Sequence, residues 1–273
     1  MKKSVLMCPP TFFDVREPKN PHMGLPIDRV RACHQWQNLS SALESCGLGV
    51  RLLDPVRDLD DMVFTANQIF VGSHSEIGKF ALPSRMRHPS RQKEVTHFVD
   101  WFRRNGYRII ALDLAGECLE GHGDLIWHPD RSLIWAGYGF RSTAGGVQKF
   151  SAAMQSLGFP VEPLELIDAH FYHLDTCFCP IGPNTVLVYG GAFSAASLGK
   201  ICRTFPRVYE FTRDDALQFV LNGIAVNGRY ITPRLTPQLE RVLEQEKLEP
   251  LVVETSEFEK SGGSVFCMKT FLE

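Results

Sequence analysis

Helix-periodic stretches begin near residues 26, 92, 146, 195 and 236, about 50 residues apart on average, and recurrence at that spacing marks an array or a propeller. The helices expected are Pro26–Cys46, Gln92–Arg104, Gly146–Leu157, Ala195–Cys202 and one opened by Thr236 as N-cap with Pro237 behind it. In the second, Val95, Phe98, Val99 and Phe102 fall at i, i+3, i+4 and i+7. A shorter helix is expected at Asp214–Leu221. An apolar strand segment follows each main helix: Gly49–Leu53, Arg108–Leu112, Val161–Ile167, Val208–Phe211 and Leu251–Val253. A polar or glycine-containing stretch and another strand come next, and Asp124–Ala136 reads as a hairpin turning at Pro129-Asp130. A doubly wound sheet would place one strand between successive helices, whereas two or three fit here. The pattern therefore predicts an α/β chain of five strand-rich units, each with one helix, closed around an axis.

Composition narrows the function. The 273 residues are 44% apolar and 22% charged, enough for a sizeable core, and no linker divides them, so 1–273 reads as one domain. A net charge of -2 offers no field for a phosphate backbone, which argues against a nucleic-acid partner. No apolar run approaches the ~20 residues of a membrane span. Met1–Pro10 is interrupted by prolines too early for a signal peptide and reads as a first β-strand. The eight scattered cysteines read as reduced thiols, which places the chain in the cytoplasm, with a homodimer as the default assembly.

In a ring of similar units the five polar stretches face one channel. They supply Asp61, Asn67, Glu120, Asp124, His173, Asp175, Asn222 and Cys267. A thiol, an imidazole and carboxylates converging there form a nucleophile–base–orienter set. Gly262 and Gly263 before Cys267 let the backbone approach a ligand. His173 and Asp175 are read as sharing one face of a strand, with Cys177 and Cys179 continuing it. Zinc is disfavoured, because ligands at i, i+2 steps along a strand spread over about 20 Å. Glu120 and Asp124, flanked by glycine, suit a cationic substrate. Arg91 and Arg141 suit a carboxylate at its other end.

These stretches resemble the guanidine-modifying enzymes: arginine deiminase, dimethylarginine dimethylaminohydrolase, the amidinotransferases and arginine dihydrolase. The resemblance rests on Met7-Cys8-Pro9-Pro10, Asn20-Pro21-His22-Met23, Asp61–Asn67, Glu120-Gly121-His122-Gly123-Asp124, Trp135–Arg141, His173-Leu174-Asp175-Thr176-Cys177-Phe178 and Gly262–Cys267, in order along nearly the whole chain. It implies a five-bladed propeller of ββαβ units and a hydrolase with no cofactor or metal, acting on arginine or a methylated arginine. Cys267 would be the nucleophile that forms a covalent amidino-enzyme, His173 the general acid and base, and Glu120 the carboxylate holding guanidinium and histidine. Asp175 would bind guanidinium too. Arg141 and Arg91 would bind the substrate carboxylate, and Asn20, Asp61 and Asn67 complete the substrate-binding set. Asn67 stands where arginine deiminases carry aspartate, and in this it resembles the arginine dihydrolases, which release ornithine, ammonia and carbon dioxide. The alternatives are a dimethylargininase giving citrulline and a methylamine, an amidinotransferase, or a ligand-binding protein of the same fold.

Overall fold

In the computed structural model, residues 3–273 are described, so Met1 and Lys2 of the expected first strand lie outside it. The strands are β1 (Ser4–Met7), β2 (Gly49–Leu52), β3 (Ile69–His74), β4 (Gly78–Pro83), β5 (Arg108–Ile109), β6 (Leu125–Trp127), β7 (Ile134–Tyr138), β8 (Val161–Glu165), β9 (Phe178–Gly182), β10 (Thr185–Val188), β11 (Arg207–Glu210), β12 (Ile224–Val226), β13 (Arg229–Thr232), β14 (Glu249–Val252) and β15 (Thr270–Leu272). Among the described residues they form five three-stranded sheets, ordered β15-β1-β2, β3-β4-β5, β6-β7-β8, β9-β10-β11 and β12-β13-β14. In every sheet the first two strands are antiparallel, and the third runs parallel to the second.

A parallel neighbour requires a crossover, and one helix supplies it in each unit. These helices are α1 (Arg29–Ser45), α2 (Val95–Arg104), α3 (Ala144–Ser156), α4 (Ala195–Thr204) and α5 (Pro237–Gln245). The fold is thus the expected α/β propeller of five ββαβ units. Side chains cap four of the five helices: Asp28, Thr143, Ser194 and Thr236 each accept from a backbone N–H in the first turn. Asp28 explains why α1 starts later than its periodicity suggested. The expected helix over 92–104 is instead a turn at Pro89–Gln92 followed by α2. Glu94, before α2, makes no cap because Arg91 and Gln68 occupy its carboxylate. In the expected strand over 108–112 only Arg108 and Ile109 have ladder partners, and Ile110 adds one hydrogen bond to the Ala81 carbonyl.

The ring closes between chain ends: β15 lies antiparallel to β1, with Val5 opposite Phe271. The core fills the space between sheets and helices, with Phe70, Phe80, Phe150, Phe178 and Trp135 fully buried. No described helix is long and apolar enough to cross a membrane.

Candidate active site

The chain places its polar stretches immediately before five equivalent strands. Asn67 precedes β3, Glu120 and Asp124 precede β6, His173 and Asp175 precede β9, Asn222 precedes β12, and Cys267 precedes β15. The same end of five inner strands therefore receives one contribution from each unit. A narrow pocket there is lined by Asn20, Asp61, Asn67, Arg91, Arg141, His173 and Cys267, together with Lys19, Tyr172 and the 261–263 backbone.

Cys267 is buried, and its thiol lies 3.1 Å from Asp175 Oδ2. Asn222 Nδ2 donates to the sulfur at 3.2 Å and to the Asp175 carbonyl at 2.9 Å. Burial, and then the Asp175 charge, push the thiol well above its ordinary value. Burial also raises the Asp175 carboxyl to about 7. The unliganded protein thus holds Cys267 as a thiol donating to Asp175. A cation entering beside them would favour both ionised forms.

On the opposite wall, His173 Nε2 lies 2.8 Å from Glu120 Oε2, and Arg141 Nη1 lies 3.1 Å from the same oxygen. The Arg87 amide donates to Glu120 Oε1 at 2.8 Å. Burial alone would raise this carboxyl, but Arg141 and then His173 overcome that and hold it far below the usual carboxylate range. An ionised carboxylate only accepts, so His173 carries its proton on Nε2 when neutral. Its Nδ1 makes no hydrogen bond among the described residues.

Two strand-based expectations need correction. Leu174–Thr176 is a 3-10 turn, and β9 starts only at Phe178, so His173 and Asp175 do not share a strand face. The turn exists because Asp124 Oδ1 accepts from the Leu174 amide at 3.1 Å and Thr176 bonds back to the His173 carbonyl. It aims Asp175 at Cys267 and His173 at Glu120. Cys177 and Cys179 face core and channel partners instead. Asp124 is expected beside Glu120 as a carboxylate suited to a cationic substrate. It is spent on Ser142, which it meets at 2.6 Å, and on Leu174, so it positions the segments carrying Arg141 and His173.

Arg91 and Asp61 form a buried charged wall. Arg91 pairs with Glu94 at 3.1 Å and donates to the Asp61 carbonyl at 3.2 Å, while Asp61 pairs with Lys19 at 2.9 Å. Arg91 Nη1 also donates to Asn67 Oδ1 at 2.9 Å. Asn67 Nδ2 and Asp175 Oδ1 have no hydrogen-bond partner among the described residues, a donor and an acceptor offered to a polar ligand. Asn20 lines the pocket, but both ends of its amide hold backbone, donating to the Ser261 carbonyl and accepting from His22 N.

Close approach explains the glycines. A Cβ on Gly123 would sit 2.4 Å from Asn67 Nδ2 and 3.2 Å from the His173 ring. Gly262 has φ +84, and a Cβ there would meet the Tyr172 hydroxyl at 2.6 Å. Sequence reasoning missed Lys19 and Tyr172 as site residues. Tyr172 places its ring 4.6 Å from the Arg141 guanidinium, and its position next to His173 was the available signal. Lys19 adjoins Asn20, but only the fold brings it to Asp61.

Comparison with known proteins agrees with this geometry. Residues 25–272 match the family described as N,N dimethylarginine dimethylhydrolase, eukaryotic. The chain is 35% identical over 263 residues to the N(G),N(G)-dimethylarginine dimethylaminohydrolase of Mycobacterium tuberculosis, covering 96% of this chain and 83% of that one. It is also 35% identical over 271 residues to the bifunctional arginine dihydrolase/ornithine cyclodeaminase ArgZ of Synechocystis, covering 97% of this chain but only 37% of ArgZ. A crystal structure of the ArgZ N-terminal domain covalently bound to a reaction intermediate superposes with a TM-score of 0.90 at 33% identity, covering 98% of this chain and 97% of that domain.

Proposed function

From the premise that the chain belongs to the dimethylarginine dimethylaminohydrolase family of guanidine-modifying enzymes, we propose that it converts arginine to ornithine, two ammonia and carbon dioxide. It is a cysteine-dependent hydrolase of guanidine C–N bonds working through a covalent intermediate, as its relatives are. In the proposed assignment the substrate guanidinium lies between Asp175 and Glu120. Its charge favours the Cys267 thiolate, which attacks the guanidinium carbon. His173 protonates the departing ammonia, then takes a proton from the water that hydrolyses the adduct. The product of that cycle is a neutral ureido group. A second attack at the ureido carbon expels the second ammonia, and water releases a carbamate that loses carbon dioxide to leave ornithine.

The observation that carries this reading is the orientation of Asn67. Arg91 can only donate, so it holds the amide oxygen and turns the NH2 group toward the substrate. A donor there suits a ureido oxygen, which accepts, better than a guanidinium, which does not. Arg91, buried in its wall, acts through Asn67 in this proposal, and Arg141 holds Glu120 as well as facing the substrate. Product analysis with labelled arginine is the test: ornithine and labelled carbon dioxide support the reading, and accumulation of citrulline rejects it.

Similarity to the Mycobacterium tuberculosis enzyme favours a second reading, in which the substrate is a dimethylarginine and the products are citrulline and a methylamine. Release of a methylamine together with citrulline, when labelled dimethylarginine replaces arginine in that assay, would identify it. The proposal takes residues 1–273 as one catalytic unit. It extends to a homodimer and, from the net charge of -2, to no nucleic-acid partner. All eight cysteines are free, which supports a cytoplasmic setting.

A further inference from the structure

The five inner strands also enclose a second cavity, about 660 Å³ in volume, that shares no lining residue with the pocket around Cys267. Every unit contributes to its wall: Val71 from β3, Trp127 from β6, Phe178 from β9, Ile224 from β12 and Phe271 from β15. The catalytic stretches precede these strands, so this cavity is the remainder of the channel. His122 lines the second cavity. Its Nε2 accepts from Val71 N at 3.1 Å, which leaves the proton on Nδ1 to donate to the Leu125 carbonyl.

The charge of the second cavity is one-sided. Lys3, Arg51, Lys79, Arg131 and Lys269 line it against a single acidic side chain, Glu273, which pairs with Arg131. Lys269 is the telling residue. It is 1% exposed, and its ammonium has no hydrogen-bond or ion-pair partner among the described residues, the charges that favour it being Asp175 and then Cys267. Its ammonium lies 3.2 Å from the centroid of Phe266 and 4.8 Å from that of Phe271, both cavity walls. Ring faces attract a cation but do not replace the hydrogen bonds it gives up on burial. Burial accordingly lowers this ammonium to about 7. Cations accumulated around aromatic walls, with one cation buried and unpaired, describe a receptor for the opposite charge on an apolar body.

We propose that this cavity binds a small organic anion, a carboxylate on a flat apolar framework, with the carboxylate seated on Lys269 and the framework against Trp127, Phe266 and Phe271. The volume accommodates a molecule larger than arginine, and the absence of shared lining allows both spaces to be filled together.

Calorimetric titration of the full chain with 1-naphthoate, neutral 1-naphthamide and inorganic phosphate tests it. One naphthoate per chain should bind at least about tenfold more tightly than the amide, a difference worth about 1.4 kcal/mol. Phosphate should bind more weakly than naphthoate, and saturating arginine, added to the Cys267→Ser protein, should bind alongside naphthoate without displacing it. Lys269→Met should weaken naphthoate at least about tenfold, as expected on losing a desolvated charge partner. Should that variant not fold, Lys79→Gln with Arg131→Gln, nearer solvent, should still weaken it about threefold through loss of the local field. Equal affinity for naphthoate and naphthamide, phosphate binding as tightly as naphthoate, displacement by arginine, undiminished binding in the variants, or no saturable binding at all would each overturn the proposal.

Discussion

Arg91 Nη1 lies 2.9 Å from Asn67 Oδ1, and this bond decides which end of the amide the substrate meets. The unpartnered Nδ2 is a donor fixed in place. Asn67→Asp substitutes an acceptor that pairs with Arg91 and with a guanidinium but offers nothing to a ureido oxygen. Product should shift from ornithine toward citrulline at equal arginine conversion. Chromatography of wild type and variant reads the ratio, and an unchanged ratio removes Asn67 from product control.

The nucleophile assignment makes a sharp demand. Cys267→Ser should lose at least about 10³-fold in turnover while keeping the fold, since an alcohol is far less ionised than a thiol. Cys8, Cys118, Cys177 and Cys179 to Ser should keep most activity. Peptide mass mapping of quenched wild-type reactions should find the adduct on Cys267 alone.

The thiol's resting state predicts a pH profile. Burial and Asp175 hold Cys267 protonated, so iodoacetamide should alkylate the free enzyme slowly at pH 7, and the rate should climb beyond pH 9. Asp175→Asn removes the charge opposing the thiolate and should raise the rate at pH 8 several-fold, by roughly the tenfold-per-unit change a lowered pKa brings. Peptide mapping of Cys267 follows it; a slower rate in Asp175→Asn would reverse the electrostatic assignment.

Gly123 is placed for contact. Gly123→Ala would drive a methyl to 2.4 Å from Asn67 Nδ2, displacing the amide and the His173 ring. Turnover should fall about 10²-fold, the scale of a 1 Å misplacement at a reacting centre. Thermal unfolding should move little, which separates misplacement from misfolding.

The Arg91 wall couples stability to pH. Burial raises Glu94 from its ordinary 4.5 to about 7, against the pull of Arg91. The folded carboxyl binds its proton more tightly than the unfolded one does. The stability from that proton is therefore full below about pH 4 and is lost as pH rises through about 7. Arg91→Met should cost about 3–5 kcal/mol at pH 8, where Glu94 must either stay charged without its partner or take up a proton, and less at pH 5, where it is already protonated. Urea unfolding at the two values measures the difference, and an equal loss at both would place the stabilisation elsewhere.

The five ββαβ units, the approximate helices and the stretches carrying Cys267, His173 and Glu120 were legible in the sequence, because period, capping residues and glycine placement are local properties of the chain. What remained hidden depends on residues far apart in sequence. The turn at Leu174–Thr176 is imposed by Asp124, about fifty positions earlier, whereas local pattern alone predicts a strand there. Lys19 joins the site only because Asp61 is folded against it, and Asn67 acquires a direction only from Arg91. Closure of β15 on β1 joins the two chain ends, and that closure completes both the catalytic end of the channel and the cationic cavity behind it. Local propensity determines which elements form; the orientation of a buried amide or an unpaired ammonium is decided by the groups that long-range packing brings within hydrogen-bond reach.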